Sequence, residues 1–197
     1  MAARDRILSS LRRAAPPGPP LPVLDRVGVS FPDLPARLGE AVAAVGGVMI
    51  RVADLAAADA ALRALPVHRD ARSVVSLVPG VGAATLDAAA VRDPHELAHL
   101  GLCVLRGALA VAENGAVWIE GASLPHHALA VIPEHLAVVV DAAAIVPDLH
   151  AAYARLDLPG RPRWGLFLAG PSKTADIEQS LVIGAHGARS STLLLVG

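Results

Sequence analysis

Short apolar runs separated by helical patterns are the feature that most limits the folds open to this chain. Val48–Val52 has the composition of a strand, a helix capped by Asp54 and reaching about Leu65 follows, and Arg72–Val78 is again strand-like. A strand, a helix and a second strand in this order are typical of a βαβ unit, in which the two strands run parallel. The sequence therefore predicts an α/β fold built on a mainly parallel sheet that is covered on both faces.

The same alternation continues to the C-terminus. The later apolar runs are Leu102–Ala112, Ala116–Glu120, Leu136–Val140, Trp164–Ala169 and Thr192–Val196. The predicted helices span about Leu34–Ala44, begin at Pro94, and run from Asp148 to Leu156. Ligands of open parallel sheets bind beyond the carboxyl ends of the strands, so loops that follow strands are the first candidates for a site.

Length, composition and charge exclude several classes of protein. A chain of 197 residues fits one domain with a substantial core. Although 54% of the residues are hydrophobic, we find no apolar run of the roughly 18 residues that a membrane span needs. A formal net charge of -1, with no basic run beyond Arg12-Arg13, argues against nucleic-acid binding. The N-terminus lacks the hydrophobic core of a signal peptide, so we expect a cytoplasmic protein.

Cysteine content limits the redox chemistry that this chain performs alone. The chain has one cysteine, Cys103, which lies in an apolar run. One cysteine cannot form an internal disulfide or ligate an iron-sulfur cluster by itself, so we expect a buried thiol of the core. If the protein takes part in a redox reaction, the electron carrier is therefore expected on another protein.

The segment His95-Glu96-Leu97-Ala98-His99 matches the H-E-x-x-H pattern of zinc proteases. On an α-helix the two histidines share one face, and Glu96 would be the base. However, Gly101 stops the predicted helix just after the second histidine, and no third histidine follows at metzincin spacing. We therefore predict no metal site at this motif.

A polar loop, Gly170–Thr174, joins an apolar strand pattern to an apolar segment that the sequence favours as a helix. Glycine lets backbone approach a ligand, and the hydroxyl of Ser172 or Thr174 can cap a helix whose free N–H groups attract anions. A ligand-binding loop and an ordinary capped helix are both open interpretations. In the second, Asp176 and Glu178 would only interact favourably with the helix dipole.

The whole stretch from Gly170 to Gly187 reads GPSKTADIEQSLVIGAHG and resembles the signature of the LUD-domain family, in the group called lactate-utilization protein C. The resemblance extends from about Gly46 to the C-terminus and is strongest after Glu113. It implies the three-layer α/β fold of the NagB/RpiA/CoA-transferase-like superfamily, with a mainly parallel sheet. The LUD domain would span residues 34–197, after an N-terminal arm of residues 1–33 that contains a helix, Arg4–Ala14, and a proline-rich tract, Pro16–Pro22.

The resemblance also implies a function. Members of this group are expected to be components of a cytoplasmic system that oxidises L-lactate to pyruvate. Iron-sulfur lactate-utilisation proteins would be the partners and would hold the clusters, while this chain would carry no cofactor itself. Its own ligand would be a small carboxylate or a phosphorylated molecule.

Glu113-Asn114-Gly115 separates two apolar runs, and Asn-Gly is a strong turn signal because both residues tolerate positive φ. The same residues resemble the Ser-Glu-Asn-Gly motif of class I CoA-transferases, whose glutamate forms the acyl-enzyme thioester, with Ala112 in place of the serine. The alternative function is therefore a stand-alone CoA-transferase-like or ligase-like enzyme, acting on a small acyl or phosphorylated metabolite with Glu113 as nucleophile. A turn with a solvent-exposed glutamate is the other interpretation.

Together these motifs define one candidate site. Its catalytic candidates are Glu113 and Asp176. Its ligand-binding candidates are Asn114, Gly115, Gly170, Pro171, Ser172, Lys173, Thr174, His186 and Gly187. Lys173 is the only lysine of the chain and would be the cation of the site. We expect the Glu113 turn and the Gly170 loop to line one pocket at the carboxyl ends of the strands, because a reacting carboxylate must lie near the groups that hold the substrate.

Overall fold

The computed structural model describes residues 3–16, 18, 20, 28–156, 164–176 and 179–197. Its α-helices are α1 (Ala3–Ala14), α2 (Leu34–Ala44), α3 (Leu55–Ala64), α4 (Pro66–Arg69) and α5 (Leu149–Arg155). Its strands are β1 (Val48–Val52), β2 (Val74–Ser76), β3 (Leu102–Arg106), β4 (Leu109–Val111), β5 (Val117–Glu120), β6 (His135–Asp141), β7 (Ile145–Val146), β8 (Gly165–Leu168), β9 (Lys173–Thr174), β10 (Val182–Ile183) and β11 (Ser190–Val196). Short 3-10 helices span Pro94–His99, Gly121–Ser123, His127–Ala130 and Ala142–Ala144.

Five strands form one sheet in the order β1-β11-β6-β3-β2. Every neighbouring pair in it is parallel. In the middle of the sheet, Val138 of β6 is paired with Leu105 on one side and Leu193 on the other. The α/β fold with a mainly parallel sheet is therefore confirmed.

Side chains alternate between the two faces of this sheet, as the two-residue period of a strand requires. In β3, Cys103 and Leu105 belong to the larger core cluster, which α2 and a second sheet also form. Leu102 and Val104 belong to a separate cluster that contains Leu62 of α3. The parallel sheet is thus buried on both faces, which explains why its strands read as nearly continuous apolar runs.

The second sheet has the strand order β7-β4-β5-β8. The pair β4–β7 is parallel, whereas β5 is antiparallel to both β4 and β8. The apolar run Leu102–Ala112 is therefore two strands, and Gly107 lies where the chain passes from one sheet to the other. An added Cβ on Gly107 would lie 2.4 Å from Val117 Cγ1 and 2.5 Å from Val140 Cγ2, so a larger residue does not fit between the sheets.

Two expectations for the C-terminal third are wrong. The strand predicted over Trp164–Ala169 is β8, which lies in the second sheet beside antiparallel β5 and not in the parallel sheet. The helix predicted after the Gly170 loop is replaced, in its described residues, by an antiparallel ribbon of β9 and β10. The β-branched Thr174, Val182 and Ile183 favour this extended pairing. Ile177 and Glu178 lie outside the described residues.

The N-terminal helix is present as predicted, and none of its described residues is buried. Downstream, the N–H of Val29 donates to Asp148 Oδ2 over 2.8 Å, and Phe31 packs against the main core. The last part of the N-terminal arm therefore contacts the core. Residues 17, 19 and 21–22 of the proline-rich tract are outside the described residues, as is segment 157–163. None of the helices that the structure describes combines the length and apolarity needed to cross a membrane.

Asp148 caps α5 as expected and also holds the segment before α2. Hydrogen bonds from the N–H groups of Ala151 and Val29 hold the pKa of this carboxyl below its usual value. Because the pKa of Asp148 is lower in the folded protein than in the unfolded chain, its ionised carboxylate stabilises the fold at pH values above the unfolded-state pKa, near 3.9. This stabilisation is lost as the pH falls through the folded-state pKa.

Asp148→Asn should therefore lower Tm by several degrees at pH 7, because Ala151 and Val29 donate to different carboxylate oxygens and an amide has an NH2 donor in place of one of them. The difference in Tm from the wild type should shrink as pH falls below about 4. Thermal unfolding followed by circular dichroism at both pH values checks this. A difference that stays constant with pH would show that the charge of Asp148 contributes nothing.

Candidate functional site

The Asn114-Gly115 turn that the sequence predicts is present between β4 and β5. The N–H of Gly115 donates to Val111 O over 2.9 Å, and Asn114 Oδ1 accepts from the N–H of Ala116 over 3.0 Å. Gly115 has a φ of +74°, and its ideal Cβ would lie 2.9 Å from the backbone nitrogen of Val42. The turn therefore packs directly on the backbone of α2.

Glu113 precedes this turn, and its side chain is exposed. Its Oε2 accepts a long hydrogen bond of 3.4 Å from the N–H of Leu149, the first residue of α5. Its carbonyl oxygen accepts from Arg37 Nη2 over 3.0 Å. The carboxylate is thus open to solvent beside the start of α5.

The Gly170 loop lies next to the Glu113 turn. Val117 is paired with Leu168 in the β5–β8 ladder, so extending this register by two residues brings Gly170 opposite Gly115. Gly170 has a φ of +70°, and its ideal Cβ would lie 2.5 Å from Val45 O, at the end of α2. The two loops therefore contact adjacent turns of one helix, and the structure brings these two parts of the predicted site together.

The remaining residues of the Gly170 loop are held by the protein itself. Lys173 Nζ donates to Val45 O, where a cation interacts favourably with the C-terminal end of α2. The N–H of Ser172 donates to Ala188 O over 2.8 Å, and its carbonyl accepts from the N–H of Gly184 over 3.0 Å. Pro171 is buried, Thr174 is paired in β9, and Asp176 is exposed. These contacts fix the conformation of the loop.

The expected position of this loop at the carboxyl ends of the parallel strands is wrong. Its contacts are with Val45 and Ala188, which shortly precede β1 and β11. The loop therefore lies at the amino ends of the parallel strands. The reason is that β8, which delivers the loop, belongs to the second sheet, so the direction of the parallel strands does not apply to it.

A cleft of about 740 Å³ opens at the same edge. Its walls come from four segments that precede β2, β3, β6 and β11, and parallel strands necessarily begin at one edge. The lining residues are Asp70, Ala71, Arg72, Ala98, His99, Leu100, Gly101, Val131, Ile132, Glu134, His135, Gly184, Ala185, His186, Gly187 and Arg189. The cleft thus includes His186 and Gly187 of the predicted site, whereas Glu113 and residues 170–174 lie outside its walls.

Three hydrogen bonds, made by two pairs of residues, organise the cleft. His135 Nδ1 is 2.8 Å from Ser190 Oγ, which fixes the orientation of the imidazole at the start of β6. Arg189 Nη1 donates to Glu134 Oε1 over 2.8 Å, and the N–H of Arg189 donates to Glu134 O over 2.8 Å. Together they join the segments that precede β6 and β11.

Sequence reasoning missed the contribution of Arg72 and His99 to this cleft. Both are exposed polar residues shortly before a strand. Arg72 belongs to no recognisable motif, and His99 was considered only as part of the H-E-x-x-H pattern. The sequence does show that each of them shortly precedes a strand of the parallel sheet. This position would have identified them only if the site had been expected at the amino ends of the strands.

The H-E-x-x-H segment has a different local role. Pro94–His99 is a 3-10 helix, in which residues four apart do not share a face. Asp93 caps it, Glu96 Oε1 accepts from the N–H of Asp93 over 3.1 Å, and His95 Nδ1 is 2.7 Å from Asp93 Oδ1. Within the ranges that the structure describes, no group of three or more His, Cys, Asp or Glu residues is placed to hold a metal ion.

Known proteins resemble this chain in sequence and in fold. "Lactate utilization protein C" of Geobacillus thermodenitrificans is 27% identical over 98% of this chain and 80% of its own length. "Lactate utilization protein C 1" of Bacillus mycoides is 30% identical over 45% of this chain. The corresponding Geobacillus kaustophilus protein is 28% identical over 60% of this chain. The chain spans less than half of the last two relatives, 40% and 48% of their length.

A solved structure resembles this chain in fold, and a family model matches its sequence. The crystal structure of a DUF162 family protein from Deinococcus radiodurans matches with a TM-score of 0.62 at 20% identity, over 86% of this chain and 99% of that chain. This likeness concerns the fold. Residues 82–196, more than half of the chain, match the LUD domain. The chain therefore belongs to the LUD domain family.

Proposed function

We propose that this protein is a component of a lactate-utilisation system, in which it binds a small carboxylate or phosphorylated ligand. The observation that carries the proposal is the similarity to proteins named lactate utilization protein C, which reaches 98% of the chain in one relative. The cleft at the amino ends of the parallel strands, whose Gly187 lies against Ser172 of the Gly170 loop, supports a ligand site there.

In this proposal, iron-sulfur partner proteins carry the electrons that lactate oxidation releases. Cys103 is fully buried in β3, and burial raises the pKa of its thiol to about 12. A buried neutral thiol is unreactive and is not a cluster ligand. The single cysteine of the chain therefore supports assigning the clusters to partners.

Reconstitution tests this function. The chain is mixed with the cysteine-rich iron-sulfur proteins encoded beside its gene, and L-lactate-dependent reduction of a dye is measured anaerobically. We expect the rate to fall to background when this chain is omitted and to return when it is added back. An unchanged rate without the chain, or a gene with no iron-sulfur neighbours, would contradict the proposal.

A second candidate function is CoA-transferase-like chemistry. The observation that favours it is that the exposed Glu113 carboxylate precedes a turn that lies opposite the Gly170 loop. In this reaction the carboxylate attacks the acyl carbon of an acyl-CoA and releases CoA as its thiolate. The thiolate then attacks the glutamyl carbonyl, which gives a glutamyl-CoA thioester and releases the free acid.

Glu113→Gln separates the two candidate functions. The amide keeps the size of the side chain, but it is not a nucleophile in this reaction. If the protein is a transferase, acetyl-CoA should form an adduct that mass spectrometry locates on Glu113 and that this variant lacks. Glu40→Gln, which changes an exposed carboxylate on α2, is the control. The absence of any adduct on the wild-type protein would eliminate the transferase function and leave the partner-dependent function.

A further inference from the structure

We propose that the cleft at the amino ends of the parallel strands binds a multiply charged small acid, with Arg72 and His135 as the recognition residues. The inference deepens the proposed function, since it locates and characterises the acid-binding site on which that function rests. It differs from the expectation drawn from the sequence, in which the Glu113 turn and the Gly170 loop form the pocket.

The hydrogen-bond donors of the lining favour an anion. Two arginines and three histidines supply N–H donors to the walls, which also contain the two carboxylates of Asp70 and Glu134. Glu134 is already paired with Arg189. Among the described ion pairs Arg72 has no carboxylate partner, so its guanidinium is available to bind an oxyanion in bidentate geometry.

The contact of His135 with Ser190 leaves the other ring nitrogen of the imidazole free to donate a hydrogen bond. Its Nδ1 is 2.8 Å from the hydroxyl oxygen of Ser190, and its position in β6 is fixed by pairing with β11 on one side and β3 on the other. When the serine hydroxyl donates to Nδ1, the imidazole carries its proton on Nε2, at the opposite side of the ring. The half-buried ring then presents an N–H donor in the wall of the cleft.

The size of the cleft argues for a ligand larger than lactate. A space of about 740 Å³ is in the range that binds drug-sized molecules, and an acid as small as lactate would fill only a fraction of it. Leu100, Val131 and Ile132 add an apolar section to the wall. A ligand with two or more anionic groups can reach Arg72 and a second donor of the wall at the same time, and the cleft has room for it.

Titration calorimetry on the full chain tests this inference, with citrate and inorganic pyrophosphate as probes and L-lactate as the small comparator. Citrate tests carboxylate groups and pyrophosphate tests phosphate groups, which share the oxyanion chemistry that Arg72 recognises. We expect at least one probe to bind about tenfold more tightly than lactate, since it engages a hydrogen-bond donor in addition to the Arg72 guanidinium.

Arg72→Gln should weaken binding of that probe by about tenfold or more, and His135→Gln should weaken it by a smaller factor. Arg106→Gln is the matched control, because Arg106 is an exposed arginine at the carboxyl end of β3, whereas the cleft lies at the amino end of that strand. Circular dichroism verifies that each variant is folded.

Two results would overturn the inference. One is that neither citrate nor pyrophosphate binds in the millimolar range, and the other is equal weakening by Arg72→Gln and Arg106→Gln, which would indicate nonspecific attraction. Failure of the reconstituted lactate assay with probe binding intact would instead refute the proposed function and leave the acid site in place.

Discussion

Gly115→Ala should lower the free energy of unfolding by roughly 2–4 kcal/mol, as judged from strain and overpacking. Two effects add at this residue. Gly115 has a φ of +74°, which an L-residue adopts only at a cost, and its Cβ would lie 2.9 Å from Val42 N and 3.0 Å from Ala41 C. These contact atoms belong to the backbone of α2, so the helix or the turn must move.

Gly80→Ala is the matched control for this prediction. Gly80 has a φ of +79°, but an added Cβ there would meet no atom within 4 Å. Gly80→Ala should therefore lower the free energy of unfolding only by the cost of the backbone conformation, about 1 kcal/mol. Urea unfolding followed by fluorescence measures both values. Equal losses in the two variants would show that the Glu113 turn does not pack on α2 as described.

Leu105→Ala should lower the free energy of unfolding by roughly 2–5 kcal/mol, the range of buried leucine truncations. Leu105 is fully buried in the cluster shared by the two sheets, where Val138 of β6 is its neighbour in the ladder. The substitution removes apolar contacts and leaves a cavity that the rigid sheets cannot close.

Leu181→Ala is the control for the core, because this side chain is 62% exposed. Its truncation should change the free energy of unfolding by no more than about 0.5 kcal/mol. Urea unfolding of both variants gives the comparison. If Leu105→Ala lowered the free energy of unfolding as little as Leu181→Ala, the packing of the second sheet on the parallel sheet would be contradicted.

Helices, strands and caps that depend only on neighbouring residues were predicted correctly from local patterns in the sequence. The strand Val48–Val52 and the helix Leu34–Ala44 have the predicted bounds, and Asp54 and Asp148 cap the helices that they precede. Capping and apolar periodicity depend on residues a few positions apart, so a single sequence reports them well.

Long-range pairing was not available from the same patterns. The apolar run that forms β8 is compatible with either sheet, and only its antiparallel partner β5 decides which one. The segment after Gly170 has cap residues suited to a helix, but it is tied instead to Ala188 and to β10. Tertiary contacts therefore overrode the local propensity there.

The candidate site could be predicted only in part, because some of its residues come together through long-range pairing. The Glu113 turn and the Gly170 loop lie near each other because their motifs flank strands that pair. Neither lines the described cleft, so the expectation that they form one pocket stays a prediction. Arg72 and His99 were missed because their significance depends on the strands of the parallel sheet starting at one edge. The catalytic and ligand-binding roles of the predicted residues stay predictions.

Hydrogen exchange of the backbone amides, measured by mass spectrometry with and without saturating citrate or pyrophosphate, tests most directly whether ligands bind at the amino ends of the parallel strands. The segments to compare are those that precede the strands, 98–101, 131–135 and 184–189, and those that follow them, 77–83 and 141–144. We predict slower exchange in the first set and no change in the second. Protection confined to the segments that follow the strands would contradict the assignment and return the site to the carboxyl ends of the sheet.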